Sequence, residues 1–468
     1  MTKPAIQRLS EFVCQTDSSR HPETAIKRAE LAWLDTIGCM LLGAESEVAQ
    51  VAQKSVAGWG KGDAPVVGSD LMLPPPWAAL VNGASAHALD LDDFTFIAND
   101  HPSAVLVPAL LSAVSGSQEQ TSGMDLLDAY LIGLEVIYCL GEAVNMDHYN
   151  LGWHTTSTLD SMGATAAVCR LHKLNESQTA AALSLTTSMG AGYISQFGTS
   201  GKPLHAGLSA KSGLLAAHLG AAGATGQLTA LDGEVSFASL LVPKGKARFE
   251  EAIERLGNPW GIEAHGLGAK VYPSCGYVHR LVDAAILARQ ELPENTLHQI
   301  KSIKASIPDF HLAVLPYGIP RDRTEALFSV PYCVATALVT GGNSIDDFSP
   351  EAIKRPQILS LAKQIKVTPR VTKRPEINFD PDDPDTIEVT LDNGDIIRKA
   401  VPIYTGAPGR DLDRGRFVDK FMQCHQQFMD SASASTIQAS NVIEAATDIH
   451  QASNLTPLFE ALKAAKSA

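Results

Sequence analysis

A chain of 468 residues that is 45% hydrophobic, 19% charged and 6% aromatic has the composition of a globular protein, long enough to bury a large core without disulfides or structural metal. Its formal charge of −14 argues against nucleic acid or an anionic membrane surface as a partner. No run approaches the roughly eighteen apolar residues of a membrane span, the N-terminus lacks the pattern of a secretory signal, and the seven cysteines form no C-x-x-C, so a cytoplasmic location is expected.

From residue 24 to about 240 the pattern is helical. "TAIKRAELAWLDTIGCMLLGA" spaces Ile26, Ala29, Trp33, Ile37 and Leu41 by three or four, the apolar stripe of a helix. "SGMDLLDAYLIGLEVIYCLGEAV" repeats the stripe behind Ser122, whose hydroxyl suits an N-cap. "SQTAAALSLTTSMGAGYI" and "HAGLSAKSGLLAAHLGAAGATG" are rich in Ala, Gly and Ser. Glycine costs about 1 kcal/mol against alanine inside a helix, so its repetition predicts helices packed backbone to backbone.

Near residue 266 the texture changes. "HQIKSIKASIP" alternates through Ile303, Ala305 and Ile307, and "DTIEVTLDNGDIIRKAVP" reads as two strands joined at Asn393-Gly394. Helices are expected between them at "PYCVATALVTG" and "RPQILSLAKQI". A Pro/Gly-rich linker, "PIYTGAPGRDLD", precedes renewed helical periodicity in "RGRFVDKFMQCHQQFM" and "SNLTPLFEALKAA". The expected fold is mainly α: a large all-helical domain built from residues 1–265 and 404–468, with a smaller α+β domain, 266–403, inserted between them.

Four polar clusters interrupt this background. In "HALDLDDFTFIANDHPS", continuing the preceding helix would put His87 and Asp90 on one face, with Asp93 one step along and Asp92 pointing elsewhere. Pro102 suits the start of the next helix. Locally the cluster fits a proton-transfer site, a metal site or a cap-and-turn network. "NLGWHTTSTLDS" places His154 between a tryptophan and a run of hydroxyls, which alone reads as a helix cap. "QFGTSGKPLHAG" carries Lys202 in a glycine-rich loop before a helix, a place to meet an anion, although an exposed loop lysine is the commoner outcome. Pro203 after the lysine breaks the P-loop pattern. "KVYPSCGYVHR" combines Lys270, Cys275, His279 and Arg280. Four such clusters, each at a helix entrance, point to one shared cavity.

Taken together, "NGASAHALDLDDF…HPSAVLVPALL", "GWHTTSTLDSMGATAA", "GKPLHAGLSAKSGLLAAHLGAAGATG", "KVYPSCGYVHRLVDAA" and "FSVPYCVATAL" resemble the MmgE/PrpD family, in order, from about residue 5 to 425. That family includes 2-methylcitrate dehydratases, cis-aconitate decarboxylases and iminodisuccinate epimerase. The resemblance implies a homodimer, no cofactor, no metal, and a small polycarboxylate substrate held in the cleft between the domains. Carried over by motif, the site holds Asp90, His101, His154 and Lys202, with Lys270 and the "PSCGYVH" loop supplying the rest. Two departures bear on the reaction: vertebrate decarboxylases carry a histidine where this chain has Cys275, and a tyrosine where it has Leu312 beside His311. Either Phe94 or Thr95 stands opposite their threonine.

The chemistry the family shares is proton removal or delivery at a carbon next to a carboxylate. In the expected division of labour, Lys202, Lys270 and His279 grip carboxylates, Asp90 orients or tunes a histidine, and His101 and His154 carry protons. Thr95, Cys275 and Arg280 join Lys270 in substrate binding, and Asp92, Asp93 and Asp100 are structural. A 2-methylcitrate-type dehydration is the leading expectation. Epimerisation of a dicarboxylate and decarboxylation are the alternatives, and a non-catalytic carboxylate-binding homologue is the most distant.

Overall fold

The computed structural model describes residues 3–293, 295–431, 435–463 and 465–466. The expected domain segments also include positions 1, 2, 294, 432–434, 464, 467 and 468, which lie outside the described residues.

Helices dominate, and they follow the apolar stripes. In the helix Glu23–Gly43, Ala29, Trp33, Ile37 and Leu41 are buried. The helix Gly123–Val144 starts behind Ser122, whose hydroxyl accepts the Asp125 N–H while the Asp125 carboxylate accepts the Ser122 N–H. This reciprocal pair satisfies two of the amide groups that a helix start leaves open. Small residues do bring backbones together. The helices Pro75–Ala86 and Gly201–Ala221 cross where Gly83 meets Gly207, and a Cβ on Gly83 would stand 2.8 Å from the Gly207 Cα. That crossing places the end of one helix, at His87, beside the start of the other, at Lys202.

One large core draws on residues between Ala5 and Leu267 and, from the other end of the chain, on residues between Phe421 and Leu462. The returning helix, Arg414–Ser431, lies on Glu23–Gly43, where Lys420 Nζ meets Asp35 Oδ1 at 2.6 Å. A second core runs from Cys275 to Ala407, joined by Phe94, Met146 and Tyr149. Within it four strands form a mixed sheet in the order Ile365–Arg370, Ile300–Pro308, Asp385–Leu391, Ile396–Val401, the first pair parallel and the others antiparallel. Ile303, Ala305 and Ile307 point inward, as their alternation predicts. The last two strands make the expected hairpin, with Gly394 at positive φ in the turn.

Two expectations need correction. The large helical part is not wholly helical, because Ala64–Pro65 pairs with Met72–Leu73 as a short antiparallel ribbon. The helix ending at Ala86 also does not continue through the opening polar cluster. His87 caps it, and Asp90 adopts φ 53, a left-handed conformation that no helix interior contains. No helix among the described residues is long and apolar enough to cross a membrane.

Candidate active site

Asp90 is the hub of a cavity between the two cores. Its carboxylate meets Lys202 Nζ at 2.8 Å and the Lys270 ammonium at hydrogen-bond distance, and Lys270 Nζ also donates to the Asp90 carbonyl at 3.0 Å. All three side chains are at least 95% buried. Burial alone would raise the Asp90 pKa, but the charges of Lys202 and Lys270 outweigh it and hold the carboxyl well below the usual range. Of the charged groups that line the cavity, two are ammoniums and one is the ionised Asp90 carboxylate, while the Asp92 carboxylate stands outside the lining behind the imidazoles. The wall itself therefore presents positive charge inside a chain whose net charge is −14. An anionic substrate needs that field.

The left-handed turn at Asp90 gives the imidazoles a different set of partners from the helical expectation. Asp92, expected to point away, accepts from His87 Nδ1 at 2.8 Å and lies 3.3 Å from His101 Nδ1. His101 Nδ1 also donates to the Asp93 carbonyl at 2.8 Å. A carbonyl only accepts, so the Nδ1 proton is fixed and His101 Nε2 turns its lone pair towards the cavity, 3.6 Å from Asp90 Oδ1. Asp93 is held in turn by the Ser103 N–H at 3.1 Å. His154, at the start of the short helix Thr155–Thr158, shares a hydrogen bond with His205, Nδ1 to Nδ1 at 3.0 Å, and presents its ring edge to Phe197. Burial lowers the pKa of both His101 and His154, so each is neutral near pH 7 and ready to accept a proton.

The cavity is narrow, with about 50 Å³ of free space, well below the roughly 300–1,000 Å³ of a drug-sized ligand site. Asp90, Thr95, His101, His154, Lys202, Lys270 and Cys275 all line it. Lys202 is not an exposed loop residue. It lies in the first turn of Gly201–Ala221, 4% exposed, with its ammonium 5.2 Å from the Phe197 ring centre. Thr95 and Phe94 both reach the cavity, but the Thr95 hydroxyl is engaged by Asp100 at 2.6 Å. Burial pushes the Cys275 thiol up to about 11, which leaves it uncharged.

His279 and Arg280 are not brought to the cavity. His279 Nε2 donates to the Ser274 carbonyl at 3.2 Å, and its ring sits edge-on to Tyr272 and Tyr404. Arg280 donates to the carbonyls of Asp380 and Asp383 and backs the Phe379 ring, so it braces the loop behind the cavity.

Comparison with known proteins settles the family. The description "MmgE/PrpD N-terminal domain" matches residues 7–250, and "MmgE/PrpD C-terminal domain" matches 272–452. The chain belongs to the MmgE/PrpD family. Relatives include the cis-aconitate decarboxylase of Mus musculus, 28% identical over 93% of this chain and 89% of the mouse protein. The Homo sapiens enzyme of that name is 27% identical over 94% and 91%, and the one from Aspergillus terreus (strain NIH 2624 / FGSC A1156) is 25% identical over 94% and 92%.

The structure of this MmgE/PrpD chain adds residues that sequence reasoning missed. Phe197, Tyr149, Tyr277, Asn99, Phe379 and Tyr404 also line the cavity. His205 carried a usable signal, since it lies three residues after Lys202 in "GKPLHAG" and shares its helix face. Tyr404 carried none, because it sits in the segment read as a linker. The metal alternative also has a geometric form: His87, Asp90, Asp92 and His101 offer donor atoms within 4.8 Å of one another. These residues do not fit a divalent cation. Two ammonium groups already meet Asp90 Oδ1 and would repel a cation placed on that carboxylate, and both histidines turn Nδ1 towards Asp92 rather than towards a common centre.

Proposed function

We propose that this MmgE/PrpD enzyme removes a proton from a carbon next to a carboxylate of a small di- or tricarboxylic acid, without a cofactor, and then expels a hydroxyl as in 2-methylcitrate-type dehydration. The observation that carries this reading is the fixed tautomer of His101, whose free Nε2 faces the cavity beside two buried ammonium groups. The ammonium groups hold the carboxylate and stabilise the charge that spreads onto it as the proton leaves. His101 takes the α-proton, and His154, backed by His205, protonates the departing hydroxyl, which leaves as water. His154, neutral at rest, gives up its Nε2 proton and takes the Nδ1 proton of His205 through their shared hydrogen bond. His205 regains a proton from solvent and His101 releases the α-proton to solvent, so both imidazoles end neutral. Thr95, Cys275 and Phe197 shape the cavity around the substrate, while His279 and Arg280 hold its walls.

Decarboxylation is a second reading, favoured by the cis-aconitate decarboxylases among the relatives. In that case CO₂ leaves and one imidazole reprotonates the carbon. Epimerisation would use both imidazoles on opposite faces. The division into segments 1–265, 266–403 and 404–468 and a homodimeric assembly belong to the same reading, the former supported by the two separate cores.

Incubating the protein with a panel of hydroxy-tricarboxylic, unsaturated tricarboxylic and dicarboxylic acids in D₂O, followed by NMR, tests the proposal. An alkene product without CO₂, together with deuterium at the α-carbon of the recovered hydroxy acid, is the expected outcome, unaffected by exhaustive chelation. CO₂ release or inversion would replace dehydration by one of the other two readings, and no exchange from any acid would remove the proposal altogether.

A further inference from the structure

Three tyrosines line the cavity, and their hydroxyls are not equivalent. The Tyr277 oxygen accepts the Asn99 side-chain N–H at 2.9 Å, and Tyr149 lies beside the same pair, its phenol influenced by both Tyr277 and Asn99. Asn99 is held in turn by Asn378 at 2.7 Å. The third, Tyr404, is 1% exposed, and its hydroxyl makes no hydrogen bond to any described residue. A phenol buried among protein groups whose hydroxyl opens onto a cavity without a protein partner is placed to bond a ligand atom.

Its position is rigid. The ring is packed against Phe94, Phe379 and His279, with centroid distances of 5.6, 5.2 and 5.1 Å. The following residue is anchored on the buried Asp283, which accepts the Thr405 N–H at 2.8 Å, the Thr405 hydroxyl at 3.0 Å and Arg410 Nη1 at 2.9 Å. The Gly406 carbonyl accepts the Ala269 N–H at 2.8 Å, which ties this turn to the residue before Lys270. Gly276 keeps the space between the two polar groups open. A Cβ there would lie 3.4 Å from the Tyr404 hydroxyl and 3.9 Å from Lys270 Cε. The phenol and the ammonium therefore flank the same small volume.

We propose that the Tyr404 hydroxyl donates a hydrogen bond to the substrate carboxylate whose α-carbon loses its proton, which makes Tyr404 a catalytic residue of this site. The inference rests on the proton-transfer reading above and adds the third donor to the two lysines. As the proton leaves, negative charge moves onto the carboxylate oxygens, and a donor held in place strengthens as that charge grows. Burial raises the phenol's pKa, so it stays protonated and acts as donor rather than base.

Tyr404→Phe removes only the oxygen and keeps the ring's packing. With an acid that the wild type exchanges, Y404F is expected to lower kcat for α-proton exchange roughly a hundredfold to a thousandfold, with the melting temperature unchanged or raised. Exchange by Y404F within threefold of the wild type would overturn the inference. Independently, in protein carrying 3-fluorotyrosine, the ¹⁹F line absent from Y404F should shift when that acid saturates the site, and an unmoved line would overturn it. A wild type that exchanges no acid removes the functional reading itself, whereas an active wild type with an unimpaired Y404F removes only the role of Tyr404.

Discussion

Asp90→Asn keeps the shape of the hub and deletes its charge. Lys202 Nζ, 2.8 Å away, and Lys270 would then share one neutral amide while remaining at least 95% buried. Removing one partner of a buried ion pair costs about 3–5 kcal/mol. Here one carboxylate serves two cations, which pushes towards the upper figure, while the amide oxygen still accepts one N–H, which pushes back. A loss of about 4 kcal/mol in denaturant unfolding at pH 7 is expected. The sign of the pH dependence follows from Asp90's depressed pKa. Its contribution is present above the unfolded value of about 3.9 and is lost as pH falls further. The difference between D90N and wild type should therefore hold from pH 7 to about 5 and shrink below about 4. Adding Lys202→Met to D90N leaves a single unpaired ammonium, so the double variant should recover at least about 1 kcal/mol relative to simple addition. A cost under 1 kcal/mol for D90N, or strictly additive losses, would refute the hub.

Cys275→Ser should retain activity within about tenfold, and iodoacetamide should label Cys275 slowly at pH 7, because its thiol is held near 11. Rapid labelling with loss of turnover would give the thiol a direct role. Burial lowers the His279 pKa to about 3, so the folded state resists a proton that the unfolded chain takes up near 6.5. Stability should fall as pH drops from about 6.5 towards 3, and His279→Gln should flatten that slope by up to one proton, about 1.4 kcal/mol per pH unit. An unchanged slope by titrated denaturation would contradict the assignment. Lys420→Met leaves Asp35 buried without its partner and frees the Leu91 carbonyl, which Lys420 Nζ holds at 2.7 Å. It should destabilise by about 3 kcal/mol and lower kcat more than it raises KM, and an additive, activity-neutral loss would show that the contact is only structural.

The fold was legible wherever a local rule decides. Ser122 and Asp125 announce a helix start, Ile303 to Ile307 a half-buried strand, and Asn393-Gly394 a hairpin, because each depends on residues within a few positions. The site was legible as a set of motifs but not as a geometry. Lys202 looks exposed until Asp90, 112 positions earlier in the chain, supplies its counter-charge. Asp92 looks irrelevant on a helix and becomes the imidazoles' anchor once the chain turns at Asp90. His279 and Arg280 share a motif with Cys275 but turn away from the cavity, since consecutive residues on a helix face different ways. Tyr404 lies in a segment whose only local message is Pro and Gly, and its value comes from the turn that Asp283 pins.

The central claim is that imidazoles of this cavity move a proton at a carbon next to a carboxylate. Its most direct measurement is the rate of deuterium incorporation into the α-position of a turned-over acid in D₂O, compared between wild type, His101→Gln and His154→Ala at matched folded fraction. The account predicts exchange in the wild type, loss of at least a hundredfold in H101Q, and no turnover in H154A. Near-normal exchange in H101Q, or turnover by H154A at the wild-type rate, would contradict it.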